Sequence, residues 1–166
     1  MSRISYSDEE DFNGQFALWQ ANCARSLRGR AGQRELRALE AALLALPSKR
    51  LTAGEVESEN GDVCALGAYG KHKGLDLSQF ENDYDSDEIG IAGGMPRLVA
   101  WKVVELNDIL LDTVWERHYG PLRRGEASYQ GGVAFVRDMT PEERYERVLA
   151  WVREQLHPAG ASEEPR

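Results

Sequence analysis

"FNGQFALWQANCARSLRGRAGQRELRALEAALLALP" (residues 12–47) decides the fold class. Phe12, Phe16, Trp19, Cys23 and Leu27 recur at steps of four, three, four and four. That is one stripe of a helix near 12–28. The stripe places Cys23 on the apolar face, where a thiol behaves as a small hydrophobe. "GRAG" (29–32) reads as a turn. Leu36, Leu39, Leu43 and Leu46 then mark a second helix near 32–46, stopped by Pro47. Two amphipathic helices and a short turn predict an antiparallel N-terminal hairpin.

Outward from this pair the pattern loosens and then recovers. "KRLTAGEVESENGDV" (49–63) reads as a loop or a short extended pair. "DVCALGAYGKHKG" (62–74) predicts a short helix, with Asp62 near its N-terminus and Gly74 past its end. "GLDLSQFENDYDSDE" (74–88) is mostly loop. "PRLVAWKVVELND" (96–108) is a helix with Pro96 in its first turn. "HYGPLRRGEASYQGGVAFVRDM" (118–139) is rich in glycine; only "GVAFV" suits a strand, and a lone strand needs a partner. "TPEERYERVLAWVREQL" (140–156) opens with Thr140 as N-cap, Pro141 at the first helical position and Glu143 as the capping-box residue. Tyr145, Val148, Leu149, Val152 and Leu156 form its apolar stripe. The expected fold is mainly α: one compact helical domain over 1–157, with an irregular insert at 109–139 before the C-terminal helix. Residues 158–166 read as a disordered tail.

Composition narrows the function. A hydrophobic fraction of 42% supports a core, and 29% charged residues give a soluble surface. No apolar run is long enough to span a bilayer, and the first residues lack a secretory signal. Two cysteines without close spacing suit a reducing cytoplasm better than a disulfide scaffold. With His72, His118 and His157 scattered, they form no metal-ligand set, and no cofactor motif is present. The net charge of −8 opposes attraction to nucleic acid or anionic lipid and favours a basic partner.

Five stretches carry candidate chemistry. Cys64 sits among small residues close to a helix start, where a lowered pKa would suit a nucleophile. The structural alternative is close helix packing through Ala65, Gly67 and Ala68. Asn107 and Asp108 end a helix; they either cap it or orient a catalytic histidine. Glu81, Asp83, Asp85, Asp87 and Glu88, with Tyr84 among them, make an acidic run. Asp83, Asp85 and Asp87 match the first positions of a calcium loop, but Glu88 and Gly94 replace the required Gly and Glu, so calcium is rejected. The remaining choice is a solvated loop or a surface that meets a basic groove. "EIGIAGGMPRLVAWKVV" (88–104) is a poor helix-turn-helix, with only Arg97 and Lys102 to reach DNA. Arg25, Arg28, Arg30, Arg34 and Arg37 form a basic cluster, read as a solvated helix end paired with Glu35 or Glu40.

"GDVCALGAYG" (61–70), "LVAWKVVELND" (98–108) and "TPEERYERVLAWVREQL", together with the N-terminal pair, resemble a family of small bacteriophage and prophage proteins. Its marks are a Cys-Ala-x-Gly-Ala step and a later Asn-Asp pair. The resemblance implies a helical fold and a phage or prophage origin, and no reaction. The expectation is an accessory protein that binds a bacterial host protein through Glu81, Asp83, Tyr84, Asp85, Asp87 and Glu88, in the anti-CRISPR manner. The alternative is a cysteine-dependent hydrolase or transferase using Cys64, with His118 as base and Asn107 or Asp108 orienting it. A homo-oligomer is a third reading.

Overall fold

A computed structural model describes residues 8–80, 86–108, 111–117, 127–129 and 132–157. The chain is mainly α, with the helices packed compactly. Helix α1 (Asp8–Arg28) and helix α2 (Arg30–Ala45) are joined by the single extended residue Gly29, a tighter joint than the expected four-residue turn. Gly32 makes the joint possible. A Cβ there would lie 2.0 Å from the Ser26 carbonyl oxygen, far inside contact distance. Buried Gln33 then ties the corner: its amide donates to the carbonyls of Leu27 and Gln155, both at 2.8 Å, and its oxygen accepts from the His157 N–H.

The leucine stripe of α2 is the core face. Leu36, Leu39 and Leu43 are fully buried. They pack against α3 (Ala65–His72) and α6 (Pro141–Gln155). Helix α1 leans instead on α5 (Arg97–Asn107), where Trp19 meets Trp101 edge to face at 5.2 Å. Cys23 is buried as its stripe predicts. Helix α6 carries the predicted capping box: Thr140 Oγ1 accepts from Glu143 N–H, and the Glu143 carboxylate accepts from Thr140 N–H. Tyr145, Val148, Leu149 and Val152 are buried, as their spacing requires.

Helix α3 lies at the centre, against α2, α5 and the short helix α4 (Ser86–Ala92). Its small residues mark close approaches. A Cβ on Gly67 would sit 2.7 Å from the Val56 carbonyl oxygen, and one on Gly70 would sit 2.7 Å from Ile89 of α4. Between α2 and α3 the chain runs through bends and a turn, and an isolated antiparallel bridge pairs Glu57 with Val63. Leu51, Val56 and Val63 enter the core.

The 109–139 segment differs from its irregular reading. Strands β1 (Leu111–Arg117), β2 (Ala127–Tyr129) and β3 (Gly132–Asp138) form an antiparallel sheet in the order β1-β3-β2. The "GVAFV" strand therefore has two partners. Val114 pairs with Phe135 in register, and Ala127 pairs with Ala134. The pairing spans up to 27 residues of sequence (Leu111 to Asp138), beyond the reach of local periodicity.

Candidate functional site

The elements around Cys64 bring three of the four residues of the cysteine-enzyme reading together. Cys64 and Asn107–Asp108 line one small cavity with Gly54, Glu55 and Ser86. Its volume is about 10 Å³, room for a single water. His118 lies outside the described residues.

Cys64 is the N-cap of α3, a role the sequence assigned to Asp62. Its sulfur accepts from the Gly67 N–H at 3.2 Å. Asp62 instead accepts from Ser48 and Arg50, outside the helix. The thiol is 5% exposed, and burial pushes its pKa up to about 11, against the smaller downward pull of the Gly67 amide. The neighbouring charge is Asp108, a carboxylate, which also opposes thiolate. A nucleophilic cysteine needs the opposite environment.

Asn107 is a three-way clamp. It is 3% exposed. Its oxygen accepts from the Ala65 N–H at 3.0 Å, covering a free donor of the α3 N-terminus. Its amide donates to the Thr52 carbonyl at 3.0 Å and to Asp108 at 2.9 Å. Asp108, the C-cap of α5, accepts from Gly54 N–H at 3.2 Å. The pair therefore does more than stop a helix: it fastens α5 to α3 and to the 52–54 loop. Nearby, Arg144 is buried and donates to the Leu51 carbonyl at 3.1 Å. Burial lowers its pKa while Asp108 raises it.

At the other end of α3 lies a cluster that the sequence reading missed. Glu35, read as a surface partner of the arginine cluster, is 1% exposed. Tyr69 Oη donates to it at 2.6 Å, Lys73 Nζ lies 2.7 Å away, and Arg34 Nε donates at 2.6 Å. Burial alone would raise its pKa, but these donors outweigh burial and hold the carboxyl at about 2. Tyr69 is shifted the other way, upward, by burial and by Glu35. Its hydroxyl also lies 2.9 Å from the Gly93 carbonyl oxygen, and a Cβ on Gly93 would strike the ring. The signal was present: Glu35 precedes Leu36 and stands four before Leu39, on the core stripe of α2.

Of the acidic run, Glu81, Asp83, Tyr84 and Asp85 lie outside the described residues. Asp87 and Glu88 stand in the first turn of α4, where carboxylates suit the helix dipole. Glu88 is exposed, and Asp87 faces Arg97 at 3.9 Å. Among the described residues, no three His, Cys, Asp or Glu side chains are grouped to hold a metal ion, and no helix is long and apolar enough to cross a membrane.

The fold and site define a mainly α protein organised around a buried central helix with two polar anchors. No family model, curated protein or solved structure matches the chain.

Proposed function

We propose that this is a small acidic phage or prophage accessory protein that binds and modulates a bacterial host protein or complex through charge. Inhibition of a host defence system, in the anti-CRISPR manner, is the concrete form. The observation that carries the reading is how the described end of the acidic run is mounted. Its last members, Asp87 and Glu88, begin a helix seated firmly on its neighbours. A Cβ on Gly90 would lie 2.7 Å from Ala100 of α5, so α4 has no room to shift inward. Carboxylates on such a base, Asp87 and Glu88, suit the recognition of a basic groove. The net charge of −8 and the phage-family resemblance support the same partner class, met in the host cytoplasm. The buried, neutral Cys64 is built as a cap, which favours binding over thiol chemistry.

Capture from bacterial lysate, followed by affinity measurement against salt, tests this. Asp83→Asn, Asp85→Asn and Asp87→Asn together should weaken capture and flatten its salt dependence. Full affinity in the triple variant removes the acidic run from the mechanism.

A further inference from the structure

Residues 56–64 double back on themselves before α3 begins. The Cys64 N–H donates to the Val56 carbonyl at 3.0 Å, and Glu57 bridges to Val63. Ser58 closes the tip. Its N–H donates to the Asp62 carbonyl at 2.8 Å, and its carbonyl accepts from the Gly61 N–H at 2.9 Å. Glu59, Asn60 and Gly61 form the enclosed loop, and Gly61 takes a φ of +81°. Bulged hairpin tips of this kind favour glycine at their last position.

The residues that fill the tip carry their own chemistry. In an Asn-Gly pair the side-chain amide and the next peptide nitrogen meet with the least hindrance, because glycine has no Cβ. Asn60 and Gly61 are both exposed, and a Cβ built on Gly61 meets nothing within 4 Å. The ring that would form joins adjacent residues, so no other element has to be in place for it to close. Opening the Gly61–Ser58 hydrogen bond frees the nitrogen while Val56, Val63 and Cys64 stay in the core. Openings at exposed loop tips lie at the low end of local stability.

We propose that Asn60–Gly61 is a site of spontaneous deamidation, and that its isoaspartate product loosens the hairpin that fixes the start of α3. The Gly61 nitrogen gives its proton to solvent base and attacks Cγ of Asn60. The new N–Cγ bond closes a succinimide. The Cγ–Nδ2 bond breaks, and ammonia leaves with a proton taken from water. A second water then opens the ring at either carbonyl. Breaking the N–Cγ bond gives aspartate. Breaking the backbone C–N bond gives isoaspartate, whose main chain runs through Cβ and Cγ and is one carbon longer. Ser58 then cannot keep both of its tip hydrogen bonds. The stretch 62–64 behind the tip holds the Cys64 N–H on Val56, and Cys64 is the N-cap of α3. Either product also adds a negative charge among Glu57, Glu59 and Asp62, where Lys71 pairs with Glu57 and Arg50 with Asp62. Neither the acidic run at 81–88 nor the Cys64 thiol takes part, so the site stands apart from the proposed host binding.

Incubation at mildly alkaline pH, followed by peptide mapping with mass spectrometry, tests the site. The peptide containing Asn60 should gain the difference between NH and O and split into aspartate and isoaspartate forms. Conversion in the folded protein should run within about tenfold of the rate in urea, the factor a local opening allows. Asn13–Gly14, the chain's other Asn-Gly pair, calibrates the urea rate. Asn60→Ser should abolish the new forms of this peptide with unchanged far-UV circular dichroism. In the deamidated fraction, separated by anion exchange, hydrogen exchange at residues 62–64 should accelerate about tenfold. Asn60→Asp carries the charge without the longer chain, and should leave that exchange as in wild type. Folded-state conversion more than tenfold slower than in urea overturns the site. Unchanged exchange in the deamidated fraction overturns the link to α3, and equal acceleration in Asn60→Asp overturns the role of isoaspartate.

Discussion

The two ends of helix α3 are anchored by opposite chemistry. At its N-terminus the groups that bond the helix directly are neutral: a protonated thiol and a carboxamide, the latter braced by the Thr52 carbonyl. At its C-terminus they are ionic: a buried carboxylate held by Lys73, Arg34 and a tyrosine hydroxyl. Both ends are buried and hydrogen-bonded. The second changes with pH in the acid range, because there the folded state holds a charge that the unfolded chain gives up at a higher pH. The residue that first suggested chemistry, Cys64, thus sits at the quieter end.

The largest effect should come from cutting the neutral anchor. Asn107→Ala leaves the Ala65 N–H and the Thr52 carbonyl without their partner in a buried site. At 1–3 kcal/mol for each orphaned group, the loss should be about 3–4 kcal/mol in urea unfolding. A loss under about 1 kcal/mol would mean that α3 does not depend on this clamp.

Acid should reach the ionic anchor next. The Glu35 carboxyl is held at about 2 in the folded protein, against an ordinary 4.5. The unfolded chain therefore binds a proton first, and stability falls as pH drops from about 4.5 towards 2. At 1.36 kcal/mol per unit the share at stake is on the order of 3 kcal/mol, present in full above that window. Glu35→Gln should flatten the acid branch of the stability curve, and Asn107→Ala should leave its slope unchanged. Equal slopes in wild type and Glu35→Gln would erase the distinction between the two ends.

Tyr69→Phe is a milder probe of the same anchor. It removes one hydrogen bond to a charged group, worth about 1.5–3 kcal/mol. It should also move the acid transition upward, since Glu35 loses one of its three donors. The smallest effect belongs to Cys64→Ser. Serine is itself a good N-cap, so stability should stay within about 1 kcal/mol of wild type. In the wild type, alkylation of Cys64 at neutral pH should be slow until denaturant opens the core, followed by mass spectrometry of the labelled peptide.

How much of this was legible depended on the range of the interaction. The stripes of α2 and α6, and the Thr140 capping box, are local, and the chain carries them in full. The small residues of "ALGAYG" correctly pointed to close packing, though not to which surfaces approach. The N-cap went to Asp62 because aspartate is the commoner cap, yet tertiary pairing of Val56 with Cys64 N–H shifts the helix start by two residues. Glu35 was read by its charge instead of by its position on the stripe. The sheet at 111–138 was missed because β1 and β3 recognise each other only across the chain, and α4 because seven residues carry too little periodicity.

Sequence by itself determined the helical class, the core stripes and the excess of negative charge. Each rests on residue type and on a period of a few residues. Only tertiary structure decided that Cys64 would be a sealed cap, that Asn107 would clamp three segments and that Glu35 would be an internal anion. Those roles depend on burial and on partners dozens of residues away, which raise one group's proton affinity and lower another's.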